Sequence, residues 1–197
     1  NSKGRAIQNM LNIDADDAVN AFVRVTTLAD KNFIESHNIV FCTKNGIIKK
    51  TSLEQYSRPR TNGIIAISIR EDDRVISVAL TDGDCDIIMA NRGGKAVRFN
   101  ENKVRAMGRT ATGVKGMELE ENDEVVGMVV LPKNDDVQHS LLVLSEQGVG
   151  KRSAVDEYPT VSRGCKGVKT LQVTEKTGAL VAIMDVNDDN DLMIINK

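Results

Sequence analysis

The chain has 197 residues, of which 41% are hydrophobic and 3% aromatic, with no Trp and a formal net charge of −2. A core so poor in aromatics has to be built from Val, Ile, Leu, Met and Ala, a composition that favours strands, and no apolar run approaches membrane-spanning length. Cys42, Cys85 and Cys165 lie far apart in sequence with only His37 and His139 beside them, which excludes a zinc-type spacing and reads as reduced, mostly structural thiols of a cytosolic protein.

In chain order, Asn1–Met10 has no signal-peptide core, and Gly4–Leu11 with Ala18–Val25 reads as a strand pair. A longer module then opens at Asn38 with NIVFCTKNGIIKK, recurs at Asp86 with DIIMANRGGKAVRF and at Ser140 with SLLVLSEQGVGKR, and begins again at Asp191 with DLMIINK. The starts are 48, 54 and 51 residues apart. Each complete opener is an apolar run, a turn containing Gly46, Gly94 or Gly148, and a second strand carrying Lys or Arg. In the middle module Asp86–Ala90 and Lys95–Phe99 flank a hairpin turn at Asn91–Gly94, where glycines supply positive φ. A polar connection, Asn100–Thr112, follows. A second strand pair comes next, Gly113–Leu119 and Glu124–Leu131. The same halves recur as Gly63–Ile69 with Arg74–Thr81, and as Gly167–Val173 with Gly178–Val186.

A period near fifty residues with four strands and no helix pattern predicts an all-β repeat architecture, a propeller-like disc of four-stranded blades. The repeats run approximately 38–85, 86–139 and 140–190, with partial repeats at 1–37 and 191–197, so the chain reads as a piece of a longer array. Charge keeps the same phase. Segments 44–60, 92–116 and 151–169 carry +4, +6 and +3, whereas 70–87, 117–136 and 174–191 carry −4, −6 and −4. The expectation is two opposed surfaces, with the basic turn and connection on one rim. Acidic turns such as Glu71-Asp72-Asp73 and Glu120–Glu124 are expected elsewhere.

Residues 95–119, KAVRFNENKVRAMGRTATGVKGMEL, resemble the C-terminal domain of DNA gyrase A, as do 46–69 and 150–173. The resemblance runs through three consecutive, non-identical repeats and covers the chain. It implies a β-pinwheel whose blades exchange strands, about four blades of a usual six being present here. It also implies a perimeter that wraps duplex DNA for negative supercoiling by an ATP-dependent type II topoisomerase. The partners it implies are duplex DNA, the gyrase A core and gyrase B in a heterotetramer, with no membrane. ATP and Mg2+ belong to that parent complex and no cofactor to this fragment. The location it implies is the bacterial cytoplasm, at the nucleoid. The family's basic heptapeptide, Q-R-R-G-G-K-G, is absent. Arg92-Gly93-Gly94-Lys95 is similar to part of it, but takes the repeat position of Lys44-Asn45-Gly46 and reads as an ordinary blade turn.

The candidate phosphate contacts are Lys49, Lys50, Arg58, Arg60, Lys95, Arg98, Lys103, Arg105, Arg109, Lys115, Lys151, Arg152, Arg163, Lys166 and Lys169. Point charges on glycine-rich segments suit backbone contact without base readout, and the scarcity of aromatics favours duplex over single strands. Tyr56 and Tyr158 recur at one repeat position, which fits blade packing rather than a nucleophile. No catalytic arrangement is present. Glu71-Asp72-Asp73 and Asp188-Asp189 lack calcium-loop spacing. Two alternatives stay open: the equivalent domain of topoisomerase IV, and a protein-interaction scaffold that uses the acidic face.

Overall fold

A computed structural model describes residues 4, 5, 9, 13 and 17–195. Eleven strands follow a six-residue helix. They are β1 (Asn38–Thr43), β2 (Ile47–Ser52), β3 (Val75–Thr81), β4 (Cys85–Asn91), β5 (Lys95–Asn100), β6 (Val114–Lys115), β7 (Val125–Pro132), β8 (Ser140–Ser145), β9 (Gly150–Ala154), β10 (Val168–Lys169) and β11 (Leu180–Val186). They form three antiparallel blades, in the orders β3-β1-β2-β6, β10-β5-β4-β7 and β11-β8-β9.

The outermost strand of each four-stranded blade comes from the next repeat. β6, from the 86–139 repeat, pairs with β2 through Ile47↔Lys115 and Ile48↔Val114. β10, from the 140–190 repeat, pairs with β5 through Val168↔Ala96 and Lys169↔Lys95. The predicted strand Gly113–Leu119 is therefore real but shortened to two residues, and it serves its neighbour's sheet. Entry into it depends on glycine. Gly113 has φ +107° and Gly167 has φ +78°. A Cβ on Gly113 would lie 2.6 Å from the Ile48 carbonyl oxygen, and one on Gly167 would run into that of Ala96.

The apolar openers are continuous because both faces are buried. β4 has every residue buried, and its alternate side chains serve two cores. Ile87 and Met89 join Val40, Cys42 and Ile48 of the first blade, together with Phe99 and Met117. Ile88 and Ala90 join Leu141, Val143, Leu180 and Ile183 of the third. β7 packs between β3 and β11, so these three strands form the inner side of the array. β6 and β10 then lie at its outer edge. At about 25 cal/mol per Å² of apolar surface removed from water, these shared cores are what hold neighbouring blades together.

Three expectations need correction. A helix, Lys31–Ser36, precedes β1, capped by Asp30, whose side chain accepts from the Asn32 and Phe33 amides. Its six residues are too few for a helical period to show. Ala18–Val25 and Gly63–Ile69 contain no strand, and neither does Asp191–Ile195. The structure thus forms three blades among its described residues, and Gly4–Leu11 falls mostly outside them. Third, the acidic turns do not lie away from the basic turns. β3 runs antiparallel to β1 with Thr43 opposite Val75, so the turn before β3 must land beside the β1–β2 turn. Asp73 accepts from the Asn45 amide at 2.9 Å and from Thr43 Oγ1 at 2.7 Å. Asp123 repeats this on the Gly93 amide and Asn91 Nδ2, at 3.0 and 2.6 Å.

Candidate nucleic-acid interface

The fifteen basic candidates separate into side chains used inside the fold and side chains facing solvent. Lys49 and Lys50 are buried, at 0% and 7% exposure. Lys49 Nζ donates to the Ala66 and Arg109 carbonyls and lies over the Phe41 ring. Burial pushes its ammonium down to about 8, and the Arg109 charge adds to the effect. Lys50 Nζ donates to the Glu101 carbonyl at 2.9 Å and pairs with the Glu101 carboxylate at 3.4 Å. Both are corrected from phosphate contacts to structural cations, because a buried and fully engaged ammonium presents nothing to a ligand.

Arg98 is the same kind of group. It stands four residues after Gly94, as Lys50 does after Gly46. Arg98 Nη1 donates to the Val155 and Tyr158 carbonyls at 3.0 and 3.2 Å, while its guanidinium pairs with Asp86 at 2.7 Å. Val155 and Glu101 also occupy one repeat position. One basic residue on the second strand of each of the first two units therefore clasps the following unit. Burial opposes the charged form of Asp86, but Arg98 and Asn100 outweigh it and hold the carboxyl below the usual range.

A second clasp runs the other way. Arg109 and Arg163 stand fifteen residues after Gly94 and Gly148. Arg109 Nη1 donates to the Ile65 carbonyl at 2.9 Å, and Arg163 Nη1 to that of Lys115 at 3.1 Å. Ile65 and Lys115 are equivalent, each two residues after a positive-φ glycine, Gly63 or Gly113. Arg163 Nε also reaches the Lys103 carbonyl at 3.0 Å. Both arginines are partly exposed, so a clasp can keep one edge of its guanidinium toward solvent.

Four further candidates lie in exposed ion pairs. Lys95 and Lys166 share Glu120 at 3.4 and 2.9 Å, Lys151 meets Glu157 at 3.3 Å, and Arg152 meets Asp188 at 2.7 Å. Such pairs are worth little and reopen readily. The remaining six, Arg58, Arg60, Lys103, Arg105, Lys115 and Lys169, are exposed and in no ion pair among the described residues. Lys115 and Lys169 hold one repeat position on β6 and β10, at the outer edge. Arg58 and Arg60 line, with Arg109, an open cavity of about 540 Å³ between the first two units.

Tyr158 is 3% exposed and its hydroxyl meets Thr170 Oγ1. Tyr56 Oη donates to the Ala66 carbonyl at 2.8 Å. Both are packing groups. Glu101 is the site residue that sequence reasoning missed. It is fully buried, and its carboxylate also accepts from the Gly83 and Cys85 amides and Thr81 Oγ1. Its signal was a lone acid inside the most basic segment. Asp82 and Cys85 stand close enough to form a three-ligand group with it, but Lys50 Nζ at 3.4 Å already neutralises it. Burial, with Asp82 and Glu101 nearby, pushes the Cys85 thiol up to about 12. These residues do not fit a metal.

The strand-exchanged blades define the class as a propeller-type repeat protein. The family model described as "DNA gyrase C-terminal domain, beta-propeller" matches residues 37–82, 86–132 and 139–187, and the chain belongs to that family. It is 40% identical to DNA gyrase A of Salmonella typhimurium over 98% of its length. It spans about a fifth of that relative, 21%. Two solved structures align with TM-scores of 0.81. One is the C-terminal domain of DNA topoisomerase IV, at 27% identity over 94% of this chain and 55% of that one. The other is the DNA gyrase A C-terminal domain, at 25% identity over 95% and 60%. Among the described residues no helix is long and apolar enough to cross a membrane.

Proposed function

We propose that this chain binds and wraps duplex DNA, without sequence preference, along the outer edge of its blades. The observation that carries this reading is the placement of Lys115 and Lys169. The second and third repeats each put one lysine with no ion-pair partner among the described residues on the exchanged outer strand, while Asp73 and Asp123 of the acidic turns are occupied in capping hairpins. Lys103 and Arg105 extend the basic track along the connection. Charges in such a track release counterions from the phosphate backbone and confer no base code.

Membership of the gyrase family supports a place in a bacterial type II topoisomerase. There the domain would hand a wrapped segment to the gyrase A core, which acts with gyrase B using ATP and Mg2+ in the cytoplasm. The identity to gyrase A favours gyrase over topoisomerase IV. Catalysis and cofactors belong to that larger complex in this reading.

The test is electrophoretic mobility of a duplex at two salt concentrations. For about six neutralised phosphates, log K should fall with log salt at a slope of roughly −5. A slope near zero, or strong preference for one sequence, contradicts the proposal and favours a protein-interaction scaffold.

A further inference from the structure

The third blade is one strand short. β2 receives β6 and β5 receives β10, but β9 has no strand on its outer side among the described residues. The Ser145 amide donates to the Val149 carbonyl at 2.9 Å, so the alternation of an antiparallel ladder turns the Gly150 amide and carbonyl outward. An edge of that kind is a template for another strand. The turn before it is open in the same way. A Cβ on Gly46 would lie 2.9 Å from the Met117 carbonyl oxygen, and one on Gly94 would run into that of Leu171, because an exchanged segment crosses each of these turns. A Cβ on Gly148 would meet nothing within 4 Å.

The complementary piece lies at the other end of the array. Gly63–Ile69 holds the repeat position of the segments that supply β6 and β10, yet it forms no strand. Its setting is already that of β6. Gly63 has φ +74°, and the Ile65 carbonyl accepts from Arg109 as that of Lys115 does from Arg163. The Ser68 amide donates to the Ala111 carbonyl at 3.3 Å, as the Glu118 amide does to that of Cys165 at 3.0 Å. What the segment lacks is an acceptor. The Gly116 and Met117 amides both donate to the Gly46 carbonyl, at 2.8 and 3.2 Å, and the Thr170 and Leu171 amides to that of Gly94, at 2.9 and 3.1 Å. Among the described residues the equivalent Ala66 and Ile67 amides donate to nothing, and the Gly148 carbonyl accepts nothing. A Cβ on Gly63 would meet open space, where one on Gly113 or Gly167 would press on a neighbouring strand. Ile65 and Val149 are aliphatic and exposed, at 64% and 37%.

We propose that a second copy of this chain fills the open edge, with Gly63–Ile69 of one copy pairing along the outer side of β9 of the next. The register follows from the two pairings inside the chain, Ile47↔Lys115 with Ile48↔Val114, and Lys95↔Lys169 with Ala96↔Val168. It sets Val149 opposite Ile65 and Gly150 opposite Ile64, and it brings the Gly148 carbonyl to the Ala66 and Ile67 amides. Strand addition of this kind satisfies main-chain groups that are unpaired in a single copy and covers the two exposed aliphatic side chains. Two different surfaces meet, so the interface is heterologous and copies add head to tail.

Sedimentation equilibrium over a range of concentrations tests this, using the unaltered chain, A66P and G150P. Proline removes the Ala66 amide in one variant and the outward Gly150 amide in the other, and neither substitution takes a hydrogen bond from the single chain. The unaltered chain should gain mass with concentration, and each variant alone should remain a single chain. Mixed, the two variants should form a complex of two chains and nothing larger, because only the Gly63–Ile69 segment of G150P and the β9 edge of A66P are intact. Circular dichroism melting checks that each is folded. A second pair of variants reads the register without proline, at two positions exposed in the single chain. I65D/V149D places carboxylates opposite one another and should abolish association, whereas I65D/V149K places opposite charges there and should restore it. An unaltered chain that stays at single-chain mass at every concentration overturns the proposal. So does association that survives both prolines, a mixture of folded variants that stays at single-chain mass, or two charge pairs that behave alike.

Discussion

At the blade seams, Lys50, Arg98, Arg109 and Arg163 turn donors onto carbonyls of the adjoining unit. On the outer strands, Lys115 and Lys169 carry the same charge with no ion-pair partner among the described residues. The difference follows from where each strand lies. The second strand of a unit is covered by the next unit, so a cation there must find acceptors or incur several kcal/mol of desolvation. The exchanged strand has no strand beyond it, so its lysine stays hydrated and available. Repetition of basic residues in sequence therefore signals two separate jobs, holding blades together and holding a ligand, and burial separates them.

The sharpest way to break this comparison is Lys50→Ala. It leaves the fully buried Glu101 carboxylate without its cation, a change expected to cost about 3–5 kcal/mol. Urea unfolding should show that loss, while DNA affinity per folded molecule stays unchanged. If the variant is as stable as the parent chain and binds DNA poorly, Lys50 belongs with the outer lysines.

Gly113→Ala should come next. A side chain at φ +107° is strained, and its Cβ would press on the Ile48 carbonyl. A loss of about 2 kcal/mol or more is expected, seen as an earlier melt. Because β6 carries Lys115, salt-dependent DNA binding should weaken in step. A stable variant with weakened binding would detach the perimeter from strand exchange.

The smallest effect sharpens the seam side. His139 meets Asp185 through Nδ1 at 2.8 Å and Asp135 through Nε2 at 3.0 Å, tying the 133–139 connection to β11. Burial opposes the charged ring, but the two carboxylates prevail and raise its pKa above the ordinary 6.5. A raised histidine contributes stability fully below the unfolded value of 6.5, and loses it as pH rises through the folded pKa. His139→Gln should therefore cost stability at pH 6 and little at pH 9, by about 0.5–1 kcal/mol for partly exposed groups. Melting curves at the two pH values check this. An equal cost at both would show that the ring acts by packing.

Much of the architecture was legible in the sequence. Gly46, Gly94 and Gly148 marked the hairpins, and the unbroken apolar runs marked strands buried on both faces. The coincidence of Tyr56 with Tyr158 indicated packing, and both prove to be packed. The fate of each charge was harder to read. Lys50 and Lys115 look alike in a charge count, and only the next unit's Glu101 carbonyl, about fifty residues away, makes one of them internal. A partial signal existed, since Lys50 and Arg98 share a repeat position, as do Arg109 and Arg163. The acidic turns were misplaced because their rim is fixed by the antiparallel register of β3 on β1, which alternation of charge does not encode. The helix Lys31–Ser36 is too short to leave a period.

The central claim is that outer-edge cations meet DNA while cations of the β1–β2 turn and of the β7–β8 connection do not. It is tested most directly by lysine acetylation footprinting of the folded chain, with and without duplex, read by mass spectrometry. Lys103, Lys115 and Lys169 should be protected by DNA. Lys44, paired with Glu124 at 3.1 Å, and Lys133, beside Asp84 and Asp86, should react equally in both conditions. Protection of Lys44 and Lys133 with unaltered reactivity at Lys115 and Lys169 would contradict the account.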